Sequence, residues 1–210
     1  MRRFAIVAVS AVAMGACSGS AKSPVQPESV TLPLVAQGAA AGGSLNHRTH
    51  LAGDNEVFAG SPSPADSRAQ GQAIFQIADD EQSFEYKLIA SNIENITQAH
   101  IHCGPAGQNG PIVVWLYPSV TATQALPGGA GRHDGVLAEG TVSAGVQAHV
   151  RPLLPGVNPA CPDGVANFAQ VLAKIRAGNA YVNVHTNDGV APINQGPGDF
   201  PGGEIRGQLR

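Results

Sequence analysis

Ala73-Ile-Phe-Gln-Ile77 and Ser83-Phe-Glu-Tyr-Lys-Leu88 decide how this chain folds. In the second stretch Phe84, Tyr86 and Leu88 fall on one face of an extended strand and Ser83, Glu85 and Lys87 on the other. Ala73, Phe75 and Ile77 repeat that period of two just upstream, and Asp79-Asp80-Glu81 supplies the turn between them, the signature of a half-buried hairpin. Further short runs of strand character follow at 98–103, 112–117, 136–142, 181–186 and 204–209, each bounded by Gly, Pro or Asn. Many short strands joined by turns predict an all-β fold, an antiparallel Greek-key sandwich or barrel. One segment changes period. Val165, Phe168, Val171, Leu172 and Ile175 recur at helical spacing, with Lys174 and Arg176 late and Gly178 as a stop, which predicts one short helix at about 165–177.

Composition agrees with a strand-and-turn fold. Of 210 residues, 26 are Gly and 16 Pro, which suits turns and disfavours long helices. Only 12 residues are Lys or Arg, spread along a chain of net charge -3, which argues against nucleic acid as a partner because phosphate binding needs clustered cations.

The first residues read as an address. Arg2 and Arg3 precede the apolar run 4–14, which as a helix spans about 16 Å, too short for a hydrocarbon core of about 30 Å. Met14-Gly-Ala-Cys17 resembles the bacterial lipobox, so 1–17 is expected to be a lipoprotein signal peptide with Cys17 as the acylated residue. Ser18 in place of an acidic residue favours outer-membrane sorting in a cell that has one. The expected location is the cell envelope, lipid-anchored, on a periplasmic or extracellular face, with the membrane itself as one partner. Residues 18–45 are small and polar and read as a flexible linker, which leaves 46–210 as the domain. In that oxidising setting Cys103 and Cys161 are expected to form a disulfide.

The chemistry concentrates in three strand-like runs. His100 and His102 share a face because i and i+2 point the same way, with Ile101 opposite. In 181–186, Val182 and Val184 take the apolar face and leave Tyr181, Asn183 and His185 on the other. In 204–209, Glu204, Arg206 and Gln208 oppose Ile205 and Leu209. If these strands are neighbours, one polar face collects His100, His102 and His185 as metal ligands, with Asn183, Glu204 and Arg206 around them. Other features carry less. Gly104-Pro-Ala-Gly-Gln-Asn-Gly110 lacks the Lys-Ser/Thr ending of a phosphate loop and reads as a turn. His47, His50 and His149 read as solvated, and the loop 187–203, with Asp188 and Asp199 at its ends, as a rim over the polar face.

Ala99-His-Ile-His-Cys-Gly-Pro-Ala-Gly-Gln-Asn-Gly-Pro-Ile-Val-Val114, Gly178-Asn-Ala-Tyr-Val-Asn-Val-His-Thr186 and Gly203-Glu-Ile-Arg-Gly-Gln-Leu209 resemble, in order, the signatures of the CHRD (chordin-type) family, and Leu51-Ala-Gly-Asp-Asn-Glu-Val57 resembles its opening strand. The resemblance implies a module of secreted proteins, among them an extracellular growth-factor antagonist, and so an extracellular protein partner. A weaker similarity is to copper/zinc superoxide dismutases, which place copper on a His-x-His strand, add a histidine on a late strand and keep an Arg near the C-terminal strand. By that similarity His100, His102 and His185 are copper ligands and Arg206 a cationic guide, copper being favoured over zinc. No histidine between His102 and Gly110 is present to bridge two metals, so a mononuclear site is the most it implies. Three functions fit: a non-enzymatic binding module with a copper or zinc site, a metal-dependent oxidoreductase of the dismutase type, and a structural adhesion module whose histidines only brace the sheet.

Overall fold

The computed structural model describes residues 45–210. The expected signal peptide 1–17, with Cys17, and the expected linker 18–45, save residue 45, lie outside the described residues. Eight strands, β1 (Asn46–Ala52), β2 (Gln70–Ile77), β3 (Ser83–Glu94), β4 (Ile96–Cys103), β5 (Ile112–Tyr117), β6 (Arg132–Ser143), β7 (Ala180–Thr186) and β8 (Ile205–Leu209), form one antiparallel sheet, with helix α1 (Phe168–Arg176) before β7. Exposed and buried residues alternate without a break along β2, and nearly so along β3, as the period of two requires. They pair with Phe75 opposite Tyr86 and Ala73 opposite Leu88, and Glu81 makes the turn with a φ of 56°.

The strand order is β5-β4-β7-β8-β1-β2-β3-β6. The sheet curls until its end strands β5 and β6 meet, giving a nearly closed barrel, the closure that removes exposed sheet edges. Phe75 meets Phe84 edge-on at 5.4 Å inside it, and the Tyr86 hydroxyl donates to the Leu116 carbonyl (2.7 Å), joining β3 to β5. Leu51, Leu88, Ile101, Val114, Val182, Val184, Ile205 and Leu209 complete the interior. The expected all-β antiparallel fold with a single short helix is the one observed.

Helix α1 is shorter than the apolar spacing predicts. Val165 exchanges backbone hydrogen bonds with Leu153 (2.7 and 2.9 Å) and so is held extended. Asn167 then caps the helix, its side chain accepting from the Gln170 amide (3.1 Å). Phe168, Val171, Leu172 and Ile175 are buried, and Phe168 stacks on Phe84 at 5.5 Å. Among the described residues no helix is long and apolar enough to cross a membrane. Two further expectations change. His47 is not solvated: it is 4% exposed and its Nδ1 donates to the Arg210 carbonyl (2.8 Å). His149 is half-buried and its Nδ1 accepts from the Ser143 amide (3.0 Å). The opening strand also ends earlier than Val57, because the chain turns at Gly53–Asn55.

Cys103 and Cys161 are joined, their Cα atoms 5.7 Å apart across a separation of 58 residues. The bond ties the residue immediately after His102 to the long connection that precedes α1. Replacing both cysteines by alanine is expected to cost about 4 kcal/mol, from the entropy of the loop released in the unfolded chain. Urea unfolding measures it; a loss below about 1 kcal/mol would mean that the bond constrains little.

Candidate metal centre

Strand register builds the site. In the β4–β7 pair, His100 lies opposite Asn183, His102 opposite Tyr181 and Gln98 opposite His185. Ala99, Ile101, Val182 and Val184 point into the core, so the alternate residues of both strands share the outer face. His185 is therefore diagonal to His100 on one face, within reach of a ring. The three imidazoles meet: one nitrogen from each of His100, His102 and His185 lies within 4.8 Å of the other two, and His100 Nδ1 is 3.1 Å from His185 Nε2. β8 continues the face, with Arg206 opposite Asn183 and Gln208 opposite Tyr181.

Two loops lie over this face and set the tautomers. His102 Nδ1 is 2.8 Å from the Gly110 carbonyl oxygen and His185 Nδ1 is 2.9 Å from that of Pro201. A carbonyl only accepts, so each ring holds its proton on Nδ1 and turns a bare Nε2 lone pair toward the cluster. The Gly110 carbonyl reaches His102 because the loop doubles back tightly on β4; a Cβ at Gly110 would collide with the Cys103 carbonyl oxygen. Gly110 is further fixed by its amide, which donates to the Tyr181 hydroxyl (3.0 Å).

The rings are sealed, with His100 0%, His102 7% and His185 5% exposed. Burial is the chief force pushing all three imidazoles below the ordinary value of 6.5, His102 to about 3 and His185 to about 4, with His100 also lowered. The neighbouring rings and two cations, Arg151 beside His100 and Arg206 beside His102, push the same way, while the bonds to Gly110 and Pro201 oppose it. At neutral pH all three are neutral, which is the ligating form.

The predicted surroundings divide. Asn183 sits between His102 and Glu56 and shifts the titration of both through its side chain. Arg206 is 1% exposed; its guanidinium lies 3.3 Å over the Tyr181 ring and donates to Asn109 Oδ1 (3.1 Å) and to the carbonyls of Pro105 (3.3 Å) and Gln108 (2.9 Å). It fastens the 104–110 loop over the histidines. Glu204 is directed away from them: its carboxylate accepts from Ser67, Thr186 and the Gly198 amide, and so anchors the 187–203 loop. That loop covers the face through Pro201 and the buried Phe200 and Asp199, as a rim would.

Sequence reasoning assigned no role to Trp115, Glu56 or the two loop carbonyls. Trp115 meets His100 edge-on at 4.2 Å, under Arg151 at 5.1 Å from the indole. Its signal was its position, on the outward phase of a strand next to His-x-His. Tyr181 stacks on His102, with ring centroids 4.9 Å apart and planes 9° from parallel. Glu56 is half-buried, and desolvation, only partly offset by Arg206 and Asn183, raises its carboxyl to about 7. No local pattern announces it, because the contact is made across the 3-10 turn after β1.

These residues fit a metal ion. Imidazole nitrogen suits copper and zinc, and two of the three rings are oriented by backbone carbonyls in the way that metal-bound histidines are. His100 Nε2 and His102 Nε2 are buried without a hydrogen-bond partner, an arrangement costly for a purely structural role.

The family model for the CHRD domain matches residues 47–209. That span is most of the chain, and the chain belongs to the CHRD family. No curated protein and no solved structure matches it.

The depressed imidazoles fix a pH dependence of the metal-free protein. The unfolded chain takes up protons below 6.5 that the folded site refuses, so stability falls as pH drops from there toward 4. Glu56 works in the opposite sense, since its raised carboxyl holds a proton in the folded state between 4.5 and about 7. Three imidazoles outweigh one carboxyl, and the protein is expected to be roughly 2 kcal/mol less stable at about pH 5.5 than at about pH 7. Urea midpoints check this; equal or greater stability at the lower pH contradicts it.

Proposed function

We propose, with membership of the CHRD family as the premise, that this protein is an extracytoplasmic, lipid-anchored binding module whose outer β4–β7 face holds one copper ion, zinc being the poorer fit. His100, His102 and His185 are the ligands. The observation that carries the reading is convergence: two strands supply three rings, and two separate loops supply the carbonyls that leave Nε2 of His102 and His185 unprotonated and inward-facing, that of His185 accepting from His100 Nδ1 (3.1 Å). Histidines that only braced the sheet would find partners or solvent for their second nitrogen, and two of these do neither. When bound, copper would crosslink β4 to β7 and fix the loops that cover them. Closure of the rings supports holding an ion over turning over a free substrate. The anchor rests on Met14-Gly-Ala-Cys17 and on the apolar run before it, and it would present the module to an extracellular protein partner.

Full-length protein carrying Cys17→Ala, which removes the proposed acylation site, is expected to take up one copper per chain in equilibrium dialysis. The emission of Trp115, the only tryptophan, should change on loading because it touches His100. His102→Ala is expected to weaken uptake by more than about a hundredfold, the upper cost of losing an outer-shell partner. Absence of uptake, or uptake unchanged in His102→Ala, contradicts the metal reading. For the anchor, wild type is expected in the membrane fraction and Cys17→Ala outside it. A wild type that fractionates as fully soluble contradicts that part.

A further inference from the structure

The three-imidazole reading above does not say which oxidation state of copper the site favours; the residues around it do. We infer that the His100–His102–His185 site is selective for copper(I) over copper(II) and zinc(II).

Donor number is the first reason. No carboxylate or thiolate joins the three imidazoles at ligand distance among the described residues. Zinc takes four ligands and, with three from the protein, completes its shell with water. Copper(I) is closed-shell like zinc(II) but carries half the charge, so three neutral nitrogen donors satisfy it. Enclosure is the second reason. With His100 at 0%, His102 at 7% and His185 at 5% exposure, a fourth ligand must be a water carried into a closed space. Trp115 blocks the His100 side, Tyr181 and the 104–110 loop the His102 side, and the Pro201 segment the His185 side.

Charge is the third reason and the strongest. Arg151 lies 5.1 Å over the Trp115 ring that meets His100, and Arg206 lies 3.3 Å over the Tyr181 ring that stacks on His102, so the site has a cation on each side. The nearby carboxylates are spent elsewhere. Glu204 accepts from Ser67, Thr186 and Gly198, and Glu56 faces Arg206 and Asn183. The cost of burying an ion grows with the square of its charge, so a divalent ion among neutral ligands and two guanidinium groups is penalised far more than a monovalent one. The site that results keeps reduced copper dry and apart from dissolved oxidants.

Anaerobic competition with chromophoric chelators, on the full-length chain carrying Cys17→Ala, measures the affinities for copper(I), copper(II) and zinc(II) side by side. Copper(I) is expected at one per chain and at least about tenfold tighter than zinc(II), a difference of about 1.4 kcal/mol. X-ray absorption of the loaded protein should show three-coordinate copper with the outer-shell scattering of imidazole rings. Copper(II) or zinc(II) bound as tightly as copper(I), or a fourth ligand from water, overturns the selectivity and leaves the metal site standing. Failure to take up any of the three ions overturns the metal reading and the selectivity with it.

Discussion

The site depends on the antiparallel pairing of β4 with β7. With His100 opposite Asn183 and His102 opposite Tyr181, the ring of His185 comes diagonally beside that of His100 on the outer face. A slip of one residue in either strand would send its histidines into the barrel and its valines or Ile101 out. The apolar phase of both strands forbids that slip, since Ile101, Val182 and Val184 are fully buried. Core packing, not the histidines, therefore sets the geometry of the site. The Cys103–Cys161 bond reinforces the same strand one residue past His102.

A second layer completes what the sheet begins. An antiparallel barrel has one face in its core and one toward water, but here β7 is buried on both faces because loops cover it. The 104–110 loop is fastened by Arg206 and Tyr181, the 187–203 loop by Glu204. Each delivers one carbonyl to one imidazole. The coverage that orients the rings also dehydrates them, keeping them neutral and shut off from solvent. Orientation, neutrality and enclosure thus share a physical origin.

Much of this was legible in the sequence, for reasons specific to certain residues. Phe84-Glu-Tyr-Lys-Leu88 announced a strand because its two faces differ in polarity, and the His-x-His run announced a shared face because i and i+2 cannot do otherwise. The helix was legible in type but not in its start, since Val165 has helical spacing yet pairs with Leu153. His47 resembled a surface histidine because nothing local shows that the Arg210 carbonyl comes to meet it. Glu204 and Arg206 were placed on the correct face, but their partners lie on loops more than a hundred residues distant in part, and alternation carries no information about loops. Glu56 and Trp115 were missed for the same reason: their roles come from tertiary neighbours.

Backbone carbonyls hold His102 and His185 with their protons on Nδ1, so that two Nε2 lone pairs face the cluster. Long-range ¹H–¹⁵N correlation spectra of the uniformly ¹⁵N-labelled, metal-free protein near neutral pH report the tautomer of each ring directly. Neutral rings protonated at Nδ1 are expected for both residues. An Nε2–H tautomer or an imidazolium at either position would contradict it.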